Sequence, residues 1–235
     1  MPALTQTDNV IATAQIVDAC MRLKLPYRIA PAGIKSIAKI GSMISGPALP
    51  VRHYGSVDIF LETLESTNAQ NGILVIDNEG RDDEACIGDL VVLEAKHAGI
   101  QAIVVWGLHR DSSDLLQIGL PVFSYGSYPA GPSRLDPRES EAMINARFDH
   151  FTVTKSDTAF LDADGVVFIE TIDVQQVLGV AQTIREKERQ QAESATQGKS
   201  LRVQFHFQDY LKRRENDESY TFRMHLSTLS KSIEE

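Results

Sequence analysis

Cysteine is scarce: the 235 residues hold two, Cys20 and Cys86, set far apart in apolar company. That excludes a disulfide framework and a thiolate metal site, and it fits a reducing cytoplasm. Surplus positive charge is also missing. Lys plus Arg number 23 against 32 Asp plus Glu, a formal charge of -9, which is the wrong sign for tracking phosphates, so nucleic acid is not expected as a direct ligand. No apolar run approaches the roughly 18 residues needed to span a bilayer, and Met1 to Asn9 lacks a basic n-region and an apolar h-region. The expectation is a cytoplasmic chain, neither exported nor membrane-embedded. There is no internal repeat and no low-complexity tract. What is present, 43% hydrophobic and 23% charged residues, is ordinary globular composition, enough for one domain or one domain with an appendage.

Ile11, Ala14, Val17 and Cys20 recur at helical spacing, behind Thr7 and Asp8 as caps, and predict a first helix from Val10 to Leu23. Met43 to Arg52 reads as extended chain broken by prolines, followed by a helix from Val57 to about Leu64. The middle third is more regular. Ile73–Ile76, Ile103–Trp106 and Pro121–Tyr125 are short buried strands, separated by helices opening at Gly88-Asp89 and at Ser112. That alternation points to βαβ units and a parallel sheet. Gly131 to Pro137 is a loop, and Thr158–Ile169 has hairpin character with Asp164-Gly165 as its turn, which predicts antiparallel pairing. A long helix from about Val174 to Ala195 ends at Gly198. The remaining tail, with Phe205, Phe207, Tyr210, Tyr220 and Phe222, is too small for a core of its own. The expected division is a domain over residues 1–197 and a helical or extended tail over 198–235 that packs on the domain or on a neighbouring subunit.

In a parallel sheet, ligands bind beyond the carboxyl ends of the strands. Three loops qualify by position: Asp77–Asp89, Gly107–Asp111 and Gly126–Gly131. The second carries His109-Arg110-Asp111 directly after four apolar residues, and the first ends in Gly88-Asp89 at a helix N-terminus, where free amides attract a carboxylate. Arg110 can clamp that carboxylate bidentately, and Asp111 and Asp89 can hold a hard divalent cation directly or through its waters. Plainer readings stand beside these. A Gly-Asp step opening a helix serves as a cap, and an Arg-Asp pair in a loop as a surface ion pair. Turn chemistry accounts for Asp162 and Asp164. Asp77, Asp82 and Asp83 lack the glycine and glutamate offsets of a calcium loop. His53, His97, His150, His206 and His225 show no ligand spacing, and Trp106 reads as strand core.

The spacing of Asp89, then twenty residues, then Arg110-Asp111 resembles the RraA-like family. That family includes the class II 4-hydroxy-4-methyl-2-oxoglutarate/4-carboxy-4-hydroxy-2-oxoadipate aldolases and the protein regulators of ribonuclease E. The similarity extends over Gly72–Asp77, Gly88–Val91, Ala98-Gly99, Val104–Asp111, Leu120–Phe123 and Asp162–Val167, about residues 10–190. It implies a swivelling α/β/β core of phosphohistidine-domain type, assembled as a homotrimer or hexamer with an interfacial site. It further implies that Arg110 binds the pyruvate carboxylate and enolate side, that Asp111 coordinates Mg2+ or Mn2+, and that Asp89 holds metal water. Gly88 and the amides of Leu90 and Val91 would contact the carboxylate, and Glu188 of an adjacent subunit would approach the metal waters. Lys96 and Lys155 lie outside the apolar setting that imine chemistry requires. The implied function is a divalent-metal-dependent lyase that cleaves or decarboxylates a small 2-oxo acid through a pyruvate enolate. The competing expectations are a non-catalytic regulator of the ribonuclease type and an oligomer that binds a carboxylate without turning it over. Departures from the family pattern are Ser156-Asp157 where Gly-Asp is usual, the long tail, and the distinctive loop Ser124–Pro132.

Overall fold

In the computed structural model, which describes residues 10–66 and 69–229, the chain begins with α1 (Thr13–Leu23), the two-residue strands β1 (Arg28–Ile29) and β2 (Lys35–Ser36), β3 (Ile44–Arg52) and α2 (Asp58–Ser66). It continues through β4 (Ile73–Asp77), β5 (Ala85–Ile87), α3 (Asp89–His97), β6 (Ala102–Trp106), β7 (Leu108–His109), α4 (Ser112–Ile118) and β8 (Val122–Ser124). Four more strands follow: β9 (Asn145–Phe148), β10 (Phe151–Thr154), β11 (Asp157–Leu161) and β12 (Val166–Glu170). A 3-10 turn leads into α5 (Val174–Thr196), and α6 (Leu201–Gln204), α7 (Phe207–Asn216) and α8 (Phe222–Thr228) close the described chain. No described helix is long and apolar enough to cross a membrane. The expected caps Thr7 and Asp8 lie outside the described residues. Among the described residues, the α1 N-terminus is met from a distance: Asp162 accepts from the Thr13 amide at 2.7 Å and from its hydroxyl at 2.8 Å.

One eight-stranded sheet runs β1-β12-β11-β3-β4-β6-β8-β2. The central strands β3, β4, β6 and β8 are mutually parallel, as the alternating strands and helices predict, while β11, β12, β1 and β2 join antiparallel. The segment expected to be broken by prolines is in fact the continuous strand β3. It pairs with β11 over Ile44–Pro47 and with β4 over Ala48–Arg52. His53 donates its amide to Asp77, so the odd-numbered positions of β3 face β4 and Pro50 faces away. There β11 has already left the ladder, and no donor is lost.

Period-two alternation assigns the faces. Leu74 and Ile76 of β4 pack with Ile59, Phe60, Val92 and Ala95 of α2 and α3. Ile73 and Val75 face the other way, toward Phe148, Val153 and Phe168. That second face is covered by the β9–β10 hairpin, which the sequence pattern did not reveal. A third apolar layer sets Ile16, Ala19 and Cys20 of α1 against Val177, Ala181 and Ile184 of α5 and the outer face of β12. Each fully buried Phe or Ile contributes about 1.5–3 kcal/mol. Beyond Ile184 no α5 side chain is fully buried. The short helices after it gather Tyr210 against Phe207, Phe222 and His225, with ring centroids 5.4, 5.1 and 5.8 Å apart.

Candidate functional site

The three loops singled out by position are joined by backbone hydrogen bonds into a small parallel ladder beyond the carboxyl ends of β4, β6 and β8. Strand β5 pairs with β7, and Arg110 donates its amide to Ile87 at 3.0 Å. On the other side His109 donates to Gly126 at 3.0 Å and accepts from Tyr128 at 2.8 Å. Ala85 also donates to Ala130 at 2.8 Å. Neither β5 nor β7 is visible as a strand in the sequence, because two or three residues carry no periodicity.

This ladder delivers Gly88, Asp89, Arg110 and Asp111 to one place. The Asp89 amide donates to Oδ2 of Asp111 at 3.3 Å, and Nε of Arg110 lies 3.5 Å from the same oxygen. Gly88 caps α3 in an extended conformation, and a Cβ there would lie 2.4 Å from Oδ2 of Asp111. Asp111 itself is left-handed, with φ 59° and ψ 38°, and caps α4. The side chains of Arg110 and Asp111 are 49% and 34% exposed. Together with Ser112, Ser127, Tyr128 and Pro129 they line an open concavity of about 310 Å³, room for a small organic acid. Gly131 lets the backbone pass close behind the guanidinium, since a Cβ on it would lie 2.9 Å from Nη1 of Arg110.

Of the other expected site residues, Leu90 is exposed at the start of α3, and its amide is taken by Oδ1 of Asp89 at 2.8 Å. Val91 turns its side chain into the core. Glu188 is on α5, accepts from Gln15 Nε2 at 2.7 Å, and does not line the concavity within this chain. Among the described residues, no three His, Cys, Asp or Glu side chains converge as a closed metal cage. The donor set at Asp111 and Asp89 is carboxylate only. It fits a hard cation that keeps most of its waters, as Mg2+ does, and does not fit a metal demanding four protein ligands.

Beside this site lies a second polar group that the sequence did not disclose. Asp77, fully buried at the end of β4, accepts from the Arg147 amide at 3.1 Å, from Nε of Arg147 at 2.7 Å and from the Glu79 amide at 2.9 Å. Glu84 pairs with Arg134 at 2.9 Å. His53 is buried, stacks on Phe60, and shares a 2.8 Å hydrogen bond with Oδ1 of Asn78, which also accepts from Arg134 at 3.1 Å. That arrangement assigns the His53 Nδ1 as donor. Burial holds the His53 imidazole below its ordinary pKa, despite the Asn78 bond. These contacts fasten the 131–139 loop and the β9–β10 hairpin to the sheet edge that carries the site. Histidines 97, 150 and 206 are exposed, and His225 is buried among the C-terminal aromatics. Both cysteines are free and buried, with burial raising the Cys20 thiol to about 11.

A family model described as RraA-like, Aldolase/RraA, matches residues 13–168. An uncharacterised protein of Methanocaldococcus jannaschii is 28% identical over 171 residues, 72% of this chain and 81% of its own. Among solved structures, an uncharacterised protein from Pseudomonas syringae pv. tomato superposes with a TM-score of 0.67 at 23% identity, over 80% of this chain and 89% of its own. Streptomyces coelicolor RraAS2, described as an unusual member of the RNase ES inhibitor RraA family, gives a TM-score of 0.65 at 22% identity, over 76% of this chain and 90% of its own.

Proposed function

Because the chain belongs to the RraA-like, Aldolase/RraA family, whose members include both aldolases and ribonuclease regulators, we propose that it is a divalent-metal-dependent lyase acting on a small 2-oxo acid. The observation that carries this reading is the meeting of Arg110 and Asp111 in one concavity beside the first turn of α3. A protein that only occupied a partner's surface would have no need of a guanidinium and a carboxylate lining a ligand-sized hollow, with the amide of Asp89 bonded to that carboxylate.

Arg110 is half-exposed and planar, and it offers two parallel donors to the carboxylate of a 2-oxo acid. The α3 N-terminus adds amide donors and a positive helix end. For the substrate to take the Leu90 amide, the Asp89 carboxylate must give it up and turn outward. Mg2+ or Mn2+, held by Asp111 with Asp89 acting through water, would supply Lewis-acid stabilisation of the charge that develops at the C2 oxygen. In cleavage the C3–C4 bond breaks and its electron pair moves to C3, forming the pyruvate enolate. The C4 hydroxyl loses its proton and becomes a carbonyl, and a proton delivered to C3 completes pyruvate. In decarboxylation the same bond releases carbon dioxide and leaves the same enolate. Arg110 faces the negative charge in both cases, and Asp89 is the carboxylate available to orient the water that carries the proton. In a homotrimer or hexamer, Glu188 of an adjacent subunit would add a further carboxylate to that water. The two buried, unpaired thiols suit a reducing cytoplasm.

The test is pyruvate release from oxaloacetate and from 4-hydroxy-4-methyl-2-oxoglutarate, coupled to lactate dehydrogenase, with Mg2+ or Mn2+ and then with excess chelator. Metal-dependent release that Arg110→Ala lowers by about 100-fold or more, in an assembly of unchanged size, is expected. Turnover retained in that variant sinks the site assignment, and no release from either compound by the unmutated protein moves the reading to a different substrate or to the regulator or carboxylate binder, which carboxylate binding by the intact protein then separates.

A further inference from the structure

His109 sits under the proposed site without lining it. Its residue is 2% exposed, and both ring nitrogens are engaged. Nδ1 lies 2.7 Å from Oγ of Ser124, the last residue of β8, and Nε2 lies 2.9 Å from Oγ of Ser112, the first residue of α4. Ser124 is tied in turn to the third loop, accepting from the Gly126 amide at 3.2 Å. The His109 main chain bonds to Gly126 and Tyr128, and the next amide bonds to Ile87. His109 therefore ties its own loop to the third loop, to β8 and to the start of α4, and the amide that follows it in the chain ties the same segment to the first loop. Between His109 and Ser112 the chain has only Arg110 and Asp111, and Asp111 holds a left-handed φ of 59° that L residues rarely adopt. A short segment with a backbone of this kind keeps its shape only where its surroundings over-determine it. The imidazole is suited to the task because it presents two polar atoms on opposite sides of a rigid ring, one reaching back to the strand and one forward to the helix.

We propose that His109 is a positioning residue that, through Ser124 and Ser112, fixes the loop carrying Arg110 and Asp111 in the geometry the lyase reaction uses. The proposal rests on the lyase reading of the site but makes its own claim about loop geometry. Leucine at 109 would fill the space and release both serines, so the loop would stay attached by its backbone while Arg110 and Asp111 lose their fixed aim. Supporting groups of this kind are worth about 10- to 100-fold in activity or metal affinity.

The experiment compares His109→Leu, His109→Gln, Ser112→Ala and the His109→Leu/Ser112→Ala double variant with the unmutated protein. Three readouts are taken: kcat/KM for pyruvate release at saturating Mn2+, the Mn2+ dissociation constant by calorimetry, and amide hydrogen exchange. His109→Leu is expected to lower kcat/KM per folded molecule by about 10- to 100-fold. Exchange should quicken at the Arg110 and Tyr128 amides and stay unchanged in Ile103–Val105. His109→Gln, which keeps a donor and an acceptor, should recover part of the loss, and the double variant should be no worse than His109→Leu because the two changes remove one shared bond. Activity per folded molecule within about twofold of the unmutated protein, or unchanged exchange at Arg110 and Tyr128, overturns the proposal. If His109→Leu does not fold, Ser112→Ala carries the same expectations in weaker form. If the unmutated protein releases no pyruvate, it is the reading of these compounds as substrates that fails. Exchange and Mn2+ affinity still decide whether His109 fixes the loop, unchanged values refuting it and a weakened, loosened site upholding it.

Discussion

Gly88 and Asp111 are matched so closely that Oδ2 of Asp111 rests 2.4 Å from where a Cβ on residue 88 would stand, a space that only a hydrogen can share with it. The Gly88 backbone is extended at φ -143°, so its role here is spatial and owes nothing to glycine's conformational freedom. A methyl group at 88 pushes the carboxylate off the α3 amide and against Arg110, whose Cγ and Nε would be 3.2 Å from that methyl.

Gly88→Ala should therefore fold normally and lose function. The expected result is a drop in metal-dependent pyruvate release of about 10-fold or more, with a melting temperature within a few degrees of the unmutated protein. Full activity in this variant would mean that Asp111 does not need the position it occupies here.

Arg147 has the opposite profile, with a structural effect and little catalytic one. Its removal leaves the Asp77 carboxylate fully buried with two backbone donors and the distant Nε of Arg52, 3.9 Å away. Truncating one partner of a fully buried pair costs about 3–5 kcal/mol, but the Arg147 side chain is itself 38% exposed and two backbone bonds to Asp77 survive its loss. Arg147→Ala is therefore expected to cost about 1.5–3 kcal/mol, the worth of a hydrogen bond to a charged group. Arg189, paired with Glu193 across one turn of α5 on an exposed face, is the control, worth about 0.3–0.5 kcal/mol. Urea midpoints of the two variants check the contrast, and equal midpoints would refute the role given to Asp77.

Acid should act on the fold through His53. Burial lowers its folded pKa beneath the ordinary 6.5, so the unfolded chain takes up a proton at 6.5 that the folded chain refuses until lower pH. Above 6.5 both states are neutral and the effect is nil. Below it stability falls by up to about 1.4 kcal/mol per pH unit, until the folded imidazole protonates as well. His109, likewise lowered chiefly by burial, adds to the slope. Urea titrations at pH 7.5 and pH 5.0 should show a smaller loss in His53→Gln than in the unmutated protein, whatever the variant's absolute stability. An equal loss in both would remove His53 from the account.

The parallel centre of the sheet was legible because Ile73–Ile76 and Ile103–Trp106 are uninterrupted apolar runs between helices with clear ends. Arg110, Asp111 and Gly88-Asp89 were legible because such strands must deliver their following loops to one edge. Pro47 and Pro50 misled, since a proline argues against a central strand unless the strand changes partner at that point, and partner exchange is a property of the whole sheet. Arg147, Arg134 and Glu84 carried no signal. Their partners lie 50 to 70 residues away in sequence, and nothing local separates an arginine that will face a buried aspartate from one that will face water. The hairpin β9–β10 escaped for a related reason: its alternation of intermediate and buried residues is short, and its turn at Asp149 lacks a glycine.

The ladder of β5, β7 and Ser127 has a last consequence, for which kinds of sequence change this protein tolerates. Loops in α/β proteins ordinarily absorb insertions and deletions with little penalty. Here the three loops are hydrogen-bonded to one another residue by residue, so adding or removing one residue would put every later amide out of step and rotate Arg110 away from the hollow. Exchange of exposed side chains such as Tyr128 leaves the main-chain bonds untouched. This part of the chain is therefore constrained in length and permissive in spelling, an arrangement in which side chains around the hollow can change while the guanidinium of Arg110 and the carboxylates of Asp111 and Asp89 keep their placement.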